Sequence, residues 1–250
     1  MKSKIIVSAV QMEVLSAKRN LHKILSYIKK ASKVNADIVC FPECSFNSNM
    51  NEPSLEKDLV PIQKECKNSN VFAIINGYFR EKQNIYNRTY LINNKGKILG
   101  FYDKIHLWIE EINNVKRGKL VKVINSSLGK IGLCTCWDLF FPKIFEELKN
   151  RGAEIIFCPS YWKDDLAGKE SKFLEYTPTV LAYHYMCFFV YCNALLRGKT
   201  SISQIASPWG ELAKIKYKEG IITATLDHKR LKRFKNHFKT VFYERRYLRK

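Results

Sequence analysis

Three residues whose side chains could cooperate in nucleophilic catalysis each directly follow a run of strand-forming residues. They are the carboxylate Glu43, the amine Lys104 and the thiol Cys136. Strand ends are where sites form in α/β folds, so the three side chains could meet at one site. A thiol can attack an acyl carbon, a carboxylate can take its proton, and a lysine can favour the thiolate and stabilise the oxyanion. The trio predicts acyl transfer from nitrogen.

Other interpretations of the same residues remain open at this point. Taken singly, a lysine or glutamate in a loop is usually solvated, and a cysteine in an apolar run usually belongs to the core. The pairs Cys40-x₃-Cys44 and Cys134-x-Cys136 do not have the C-x₂-C spacing of zinc sites, so we expect no metal. The chain contains neither a G-x-G-x-x-G nor a P-loop sequence, which disfavours nucleotide binding.

Strand and helix patterns alternate along the chain and would position these residues. Apolar runs predict strands, and apolar residues at helical spacing predict helices between them. We expect one α/β domain over residues 1–250, with sheets covered by helices. The predicted strands are 5–11, 36–42, 71–78, 86–93, 97–103, 120–124, 130–135, 155–159, 187–193, 203–206 and 220–226; the predicted helices are 20–34, 55–69, 143–150 and 176–185.

Composition excludes several classes of protein. The chain has 250 residues, of which 46% are hydrophobic, and this excludes a disordered protein. No apolar run approaches the length of a membrane span, so we expect no membrane partner. Eight cysteines are present, and six of them lie in apolar, strand-like runs, which favours free thiols and a cytoplasmic location. These six are Cys40, Cys134, Cys136, Cys158, Cys187 and Cys192.

A basic, aromatic segment over residues 228–250 accounts for much of the net charge of +20. It contains ten Lys or Arg residues and one acid, Glu244. Such a segment could bind a nucleic-acid backbone with support from base stacking. Aromatic residues about four positions apart are also typical of a docking helix, which is the interpretation we favour.

Three segments together resemble the signature motifs of the carbon-nitrogen hydrolase, or nitrilase-like, superfamily, and most closely its amidase and N-carbamoyl amine hydrolase members. The segments are Phe41-Pro42-Glu43, Tyr102-Asp103-Lys104-Ile105-His106-Leu107, and Gly132-Leu133-Cys134-Thr135-Cys136-Trp137-Asp138-Leu139-Phe140-Phe141-Pro142. Further family landmarks follow in order along nearly the whole chain: Gln11, Tyr86-Asn87, Gly118, Gly152-Ala153-Glu154, Asn193 and Ser203-x-Ile205-x-x-Pro208-x-Gly210.

The resemblance implies a four-layer αββα sandwich and a Glu-Lys-Cys triad. Cys136 would be the nucleophile, Glu43 the general base and later the acid, and Lys104 the residue that steadies the tetrahedral intermediate. The backbone N–H of Trp137 would complete the oxyanion hole. The family also has a second glutamate seven residues after the lysine and seven before a glycine. Glu111 has both spacings, so the resemblance implies that it orients Lys104 and the substrate amine.

The resemblance also implies a reaction without metal or cofactor, on a small amide or N-carbamoyl amine, with release of ammonia. The alternatives are a nitrilase acting on nitriles and a non-catalytic or nucleic-acid-binding module. Asp138 after Cys136-Trp137 favours amides over nitriles, for which Cys-Trp-Glu is usual, and Phe140 replaces the arginine of the branch that acts on acidic amides. A homodimer or higher homo-oligomer is implied, with the segment 228–250 at the interface.

Several less specific expectations concern the substrate pocket. Phe140 and Trp162 could line it, together with Lys163, Asp164 and the loop 45–54. The family usually has Ala-x-Glu-Asn before a core strand, where this chain has Ala182-Tyr183-His184-Tyr185. His184 is therefore either a partner that compensates for the missing glutamate in the pocket or a hydrogen-bonded core histidine.

Overall fold

Two six-stranded sheets pack face to face in the computed structural model, which describes residues 2–162, 172–199 and 201–238. The strands are β1 (Lys4–Gln11), β2 (Ile38–Cys40), β3 (Phe72–Glu81), β4 (Asn84–Ile92), β5 (Ile98–Asp103), β6 (Val123–Ser126), β7 (Gly129–Leu133), β8 (Ile155–Ser160), β9 (Phe188–Asn193), β10 (Ile202–Ser207), β11 (Gly210–Lys216) and β12 (Gly220–Asp227). The helices are α1 (Ala17–Lys33), α2 (Val60–Ser69), α3 (Pro142–Asn150), α4 (Phe173–Tyr185) and α5 (His228–His237).

Each sheet has a parallel centre flanked by antiparallel strands. The first has the order β12-β1-β2-β3-β4-β5, and the second β11-β10-β9-β8-β7-β6. Strands β1, β2 and β3 are parallel to one another, as are β7, β8 and β9. Parallel strands bring their carboxyl ends to one edge, so the residues after β2 and after β7 reach corresponding edges of the two sheets.

Side chains that alternate along a strand are buried in two different places, the core between the two sheets and the core between a sheet and its helices. In β2, Ile38 and Cys40 lie in the core between the sheets, while Val39 lies in the cluster beneath α1 and α2. In β8, Phe157 faces the other sheet and Ile156 packs with residues of α3 and α4. Successive strand residues point to opposite faces, so these buried runs serve two interfaces at once. The resulting helix–sheet–sheet–helix arrangement confirms the predicted four-layer αββα sandwich.

Helix α1 shows how the covering helices are held. Ile24, Ile28 and Ala31 recur at helical spacing and are fully buried against the first sheet. Burial of each isoleucine is worth about 1.5–3 kcal/mol relative to exposure. The helix therefore covers the first sheet through one apolar face, while its lysines remain on the other.

The structure differs from the sequence prediction at two strands: β6 spans Val123–Ser126 where a strand over 120–124 was predicted, and β11 is an additional strand. Strand β11 was not predicted, because Glu211, Lys214 and Lys216 leave it no continuous apolar run; it forms a hairpin with β10, closed by the Ser207↔Gly210 pair. In the basic segment, α5 packs on its own chain through His228 and Leu231, which are buried. The aromatic residues after 238 lie outside the described residues. Within the described ranges, the structure has no helix long and apolar enough to cross a membrane.

Candidate active site

Cys136 lies on a tight turn directly after β7. Its φ is +46°, a left-handed conformation that costs a non-glycine residue about 1–2 kcal/mol. The side chain of Asp138 holds the turn, because it accepts hydrogen bonds from the Thr135 N–H at 3.0 Å, the Tyr102 hydroxyl at 2.7 Å and the His106 N–H at 3.0 Å. The turn therefore presents the thiol at a fixed position at the end of the second sheet.

Glu43 lies at the corresponding end of the first sheet, just after β2. Its Oε1 accepts hydrogen bonds from Lys104 Nζ at 2.8 Å and from Asn87 Nδ2 at 2.7 Å. Its Oε2 accepts one from the Tyr161 N–H at 2.9 Å, and its own N–H donates to the Ser160 carbonyl. Because Ser160 ends β8 of the other sheet, these contacts tie the two strand ends together and fix the carboxylate between the sheets.

Lys104 is buried between two carboxylates. Its Nζ lies 2.8 Å from Glu43 Oε1 and 2.8 Å from Glu111 Oε2, and only 2% of its side chain is exposed. Burial alone would lower the pKa of Lys104, but the negative charges of Glu43 and Glu111 raise it well above the ordinary value. Lys104 is therefore an ammonium at neutral pH.

Glu111 ends a short 3-10 turn that folds back over the site. Its Oε2 accepts from Lys104 and from the Trp108 N–H at 2.8 Å, and its Oε1 accepts from Asn87 at 2.6 Å and from the Tyr78 hydroxyl at 3.0 Å. Burial would raise the pKa of Glu111, but the charge of Lys104 and these hydrogen bonds lower it. Glu111 is an ionised partner of Lys104.

Burial keeps the pKa of the Cys136 thiol well above its ordinary value, so the thiol is protonated at neutral pH, although Lys104 lowers this pKa in the expected direction. Burial and the negative charge of Glu43 raise the pKa of Cys136 well above its ordinary value. Lys104 and the Tyr161 N–H lower the pKa of Cys136, but by less. The thiol therefore needs a base to take its proton. Glu43 is close enough to accept a hydrogen bond from the thiol, and this bond also raises the pKa of Cys136.

Gly118 explains the spacing that singled out Glu111. A Cβ at this position would lie 2.0 Å from the Asp103 carbonyl oxygen, so the segment can pass this close to the end of β5 only with glycine. Its N–H donates to the Lys104 carbonyl at 2.9 Å. The loop that carries Glu111 is thereby closed onto Lys104.

A cavity of about 390 Å³ opens over Glu43, Lys104 and Cys136. It is lined by Glu43, Cys44, Ser48, Met50, Tyr78, Lys104, Trp108, Glu110, Glu111, Cys136, Trp137, Tyr161 and Trp162. The structure thus brings Glu43, Lys104, Cys136, Glu111, Trp137 and Trp162 together, with two residues of the predicted loop 45–54.

Two residues expected in the pocket lie outside the cavity lining. Phe140 is half exposed and stacks behind Trp162, with ring centroids 5.3 Å apart. His184 is exposed on α4, because Ala182 and Tyr185 face the sheet and turn it outward. Neither expected role of His184 fits this position. It does not line the pocket as a partner that compensates for the missing glutamate, and it is not a core histidine. Lys163 and Asp164 lie outside the described residues.

Sequence reasoning assigned no role to Asn87, although it is the hub of the site. Its Nδ2 donates to both Glu43 and Glu111, and its Oδ1 accepts from Asn76 Nδ2 at 2.8 Å. Asn76 Oδ1 in turn accepts from the Cys44 N–H at 2.7 Å. Two signals were available: Tyr86-Asn87 is one of the family landmarks, and both Asn76 and Asn87 lie inside strand patterns, where asparagine is depleted.

This site offers a thiol, a base, an ammonium and the Trp137 N–H at the start of a helical turn. Such groups can form a covalent bond to an acyl carbon, move its protons and stabilise a developing oxyanion. Within the described ranges, no three His, Cys, Asp or Glu side chains are grouped in a way that could hold a metal ion.

Comparison with known proteins gives the same family as the motifs. A probable nitrilase of Schizosaccharomyces pombe is 28% identical over 96% of this chain and 94% of its own length. The human deaminated glutathione amidase is 24% identical over 91% of this chain and 78% of its own length. A solved structure of a mutant amidase from Nesterenkonia sp. AN1, with the acetamide moiety of fluoroacetamide added covalently at the active-site cysteine, superposes with a TM-score of 0.82 at 16% identity. The superposition covers 90% of this chain and 91% of that one.

The family itself is decided by a match along nearly the whole chain. The sequence model described as carbon-nitrogen hydrolase matches residues 6–236. This range begins in β1 and ends in α5, so it includes both sheets and every residue of the site. The chain is therefore a member of the carbon-nitrogen hydrolase family, with the nitrilase-like fold.

Proposed function

We propose that this protein hydrolyses the C–N bond of a small amide or N-carbamoyl amine through a thioester on Cys136, with release of ammonia. The observation that carries the proposal is the environment of Glu43. Three donors, from Lys104, Asn87 and Tyr161, orient its carboxylate in the same cavity as the protonated Cys136 thiol. A base fixed beside a thiol in this way suits general base catalysis of nucleophilic attack.

In the first half of the reaction, Cys136 Sγ attacks the carbonyl carbon as its proton moves to Glu43. The C=O electron pair moves to oxygen, and Lys104 Nζ and the Trp137 N–H stabilise the resulting oxyanion. When the tetrahedral intermediate collapses, the C–N bond breaks and the nitrogen takes the proton from Glu43. Ammonia leaves, and the acyl group remains on Cys136 as a thioester.

In the second half, a water molecule attacks the thioester carbon and gives a proton to Glu43. The second tetrahedral intermediate collapses with breakage of the C–S bond, and Cys136 recovers its proton from Glu43. The carboxylic or carbamic acid product leaves. All proton transfers use one carboxylate, and the steps require no cofactor.

Several observations support amides over nitriles as substrates. The relatives include proteins named as amidases, and the solved mutant amidase carries the acetamide moiety of fluoroacetamide on its active-site cysteine. Asp138 follows Cys136-Trp137, and its carboxylate holds the nucleophile turn through three donors.

The test is a panel of small amides, carbamoyl amines and nitriles assayed for ammonia, with Cys136→Ala as the blank. We expect release from amides or carbamoyl amines by the wild-type protein and none by the variant. Release from nitriles alone would favour the nitrilase alternative, and release that persists in Cys136→Ala would contradict the thioester mechanism.

A further inference from the structure

The cavity over the triad is acidic, although the chain as a whole carries a net charge of +20. Its described lining contains three carboxylates, Glu43, Glu110 and Glu111, and one ammonium, Lys104. Lys104 already bonds to Glu43 and Glu111 at 2.8 Å each. No cation of the described lining is therefore left to bind an anionic group of a substrate.

Glu110 is the carboxylate that the proposed chemistry does not use. It is an exposed residue of the 3-10 turn 109–111 and lines the cavity beside Glu111. It has no hydrogen bond or ion pair with any residue that the structure describes, in contrast to Glu111 with its four donors. Its charge is therefore open to a ligand in the cavity.

Three tryptophans form the apolar wall of the same cavity. The rings of Trp108 and Trp137 meet edge to face with centroids 4.6 Å apart, and Trp137 and Trp162 lie 5.6 Å apart. Phe140 stacks behind Trp162 and, at 4.8 Å, against Phe173, so the wall has a second aromatic layer. Tryptophan faces attract ammonium and guanidinium groups more strongly than other side-chain rings do.

We infer that the substrate carries a cationic group, an alkylammonium or guanidinium, on the part of the molecule that lies between the tryptophan wall and Glu110. This inference rests on the proposed function for the position of the scissile bond over Cys136. The Glu110 carboxylate attracts the cation, and the tryptophan rings contact its alkyl chain and its charge. An anionic substrate would instead be repelled by the three carboxylates of the cavity lining.

The experiment measures affinity without turnover, on the Cys136→Ala protein. Calorimetric titration compares three amides of similar size: δ-aminovaleramide, which is cationic, hexanamide, which is neutral, and glutaramate, which is anionic. We expect the cationic amide to bind about tenfold more tightly than the neutral one, the scale of a cation–π contact with a carboxylate nearby. The anionic amide should bind most weakly, and added salt should reduce the preference.

A matched pair of variants assigns the preference to Glu110. In the same Cys136→Ala background, Glu110→Gln should lower the ratio of cationic to neutral affinity at least threefold, on the order of one weakened charge pair. Glu146→Gln, an exposed glutamate on α3, should leave the ratio unchanged. Equal affinities for the three amides, tighter binding of glutaramate, or a ratio insensitive to Glu110→Gln would overturn the inference.

Turnover by the wild-type protein separates this inference from the proposed function. Ammonia released from all three amides, with equal affinities in the titrations, would support the hydrolase and overturn the inference. Tight binding of δ-aminovaleramide that is never hydrolysed would support the inference and contradict the proposed function.

Discussion

Replacement of Lys104 by methionine should destabilise the whole protein as well as abolish catalysis. Methionine is an unbranched side chain one heavy atom shorter than lysine, so it keeps most of the apolar stem and removes the charge. In the wild type, Lys104 bridges Glu43 and Glu111 at 2.8 Å each, and the three side chains are at most 4% exposed. The variant would leave two buried carboxylates without their cation.

The size of the effect follows from the burial of these groups. Removal of one partner from a buried ion pair costs about 3–5 kcal/mol, because the charge that remains is uncompensated. In a domain of this size each kcal/mol lowers Tm by about 2–4 °C, so a drop on the order of 6–20 °C is expected. Donors from Asn87, Tyr78, Trp108 and Tyr161 remain on the two carboxylates and favour the lower half of that range.

Thermal unfolding followed by circular dichroism measures this drop. Lys119→Met, which removes an exposed lysine, is the matched control and should change stability by less than about 0.5 kcal/mol. The double variant Lys104→Met/Glu111→Gln should recover part of the loss, because one of the two uncompensated charges is gone. A Tm for Lys104→Met within about 2 °C of the wild type would refute the ion-pair reasoning.

Three further predictions concern the base, the second glutamate and assembly. Glu43→Gln should lower kcat by about 10²-fold or more with little change in KM, yet make Cys136 alkylate faster with iodoacetamide at neutral pH, because a negative charge that raises the pKa of that thiol is removed. Mass spectrometry locates the label; preferential labelling of Cys44 instead would contradict the assignment. Since the pKa of Glu111 is lowered in the folded state, its contribution to stability is present above its ordinary pKa of about 4.3 and is lost as the pH falls below it. Glu111→Gln should therefore flatten the fall in Tm below that pH, and an unchanged acid profile would count against the Lys104 pairing. The homodimer with the segment 228–250 at its interface remains a prediction; the exposed face of α4, with Tyr176, Val180 and Tyr183 each more than half exposed, adjoins that segment at Phe234 and is expected to share the interface. Light scattering should show that Val180→Glu dissociates the dimer, and a monomeric wild type would contradict the prediction.

The positions of the catalytic candidates in sequence were sufficient to predict their place in the fold. Glu43 and Cys136 follow buried runs that end abruptly, and the carboxyl ends of parallel strands are where side chains converge. Local pattern also predicted sheets covered by helices, because runs such as Ile38–Cys40 are apolar on both faces. The four-layer order of the sheets and helices was implied by the family resemblance and not by the pattern.

Local pattern did not predict which polar groups would be partners. Asn87 comes 44 residues after Glu43 and 24 before Glu111, yet it donates to both, and this hub exists only after β4 is placed beside the site. The protonation of Cys136 likewise depends on the burial and the charges that the two sheets bring together.

The sequence by itself determined the family, the strand-end positions of Glu43, Lys104 and Cys136, and the spacing that singled out Glu111. The tertiary structure decided which pocket candidates face the cavity. His184 is exposed because the residues that α4 buries fix the rotation of this helix about its axis. Trp108 and Glu110 line the cavity because the loop that carries them is closed at Gly118. Side-chain direction depends on long-range packing, and single-chain patterns carry no information about what lies on the other side of a cavity.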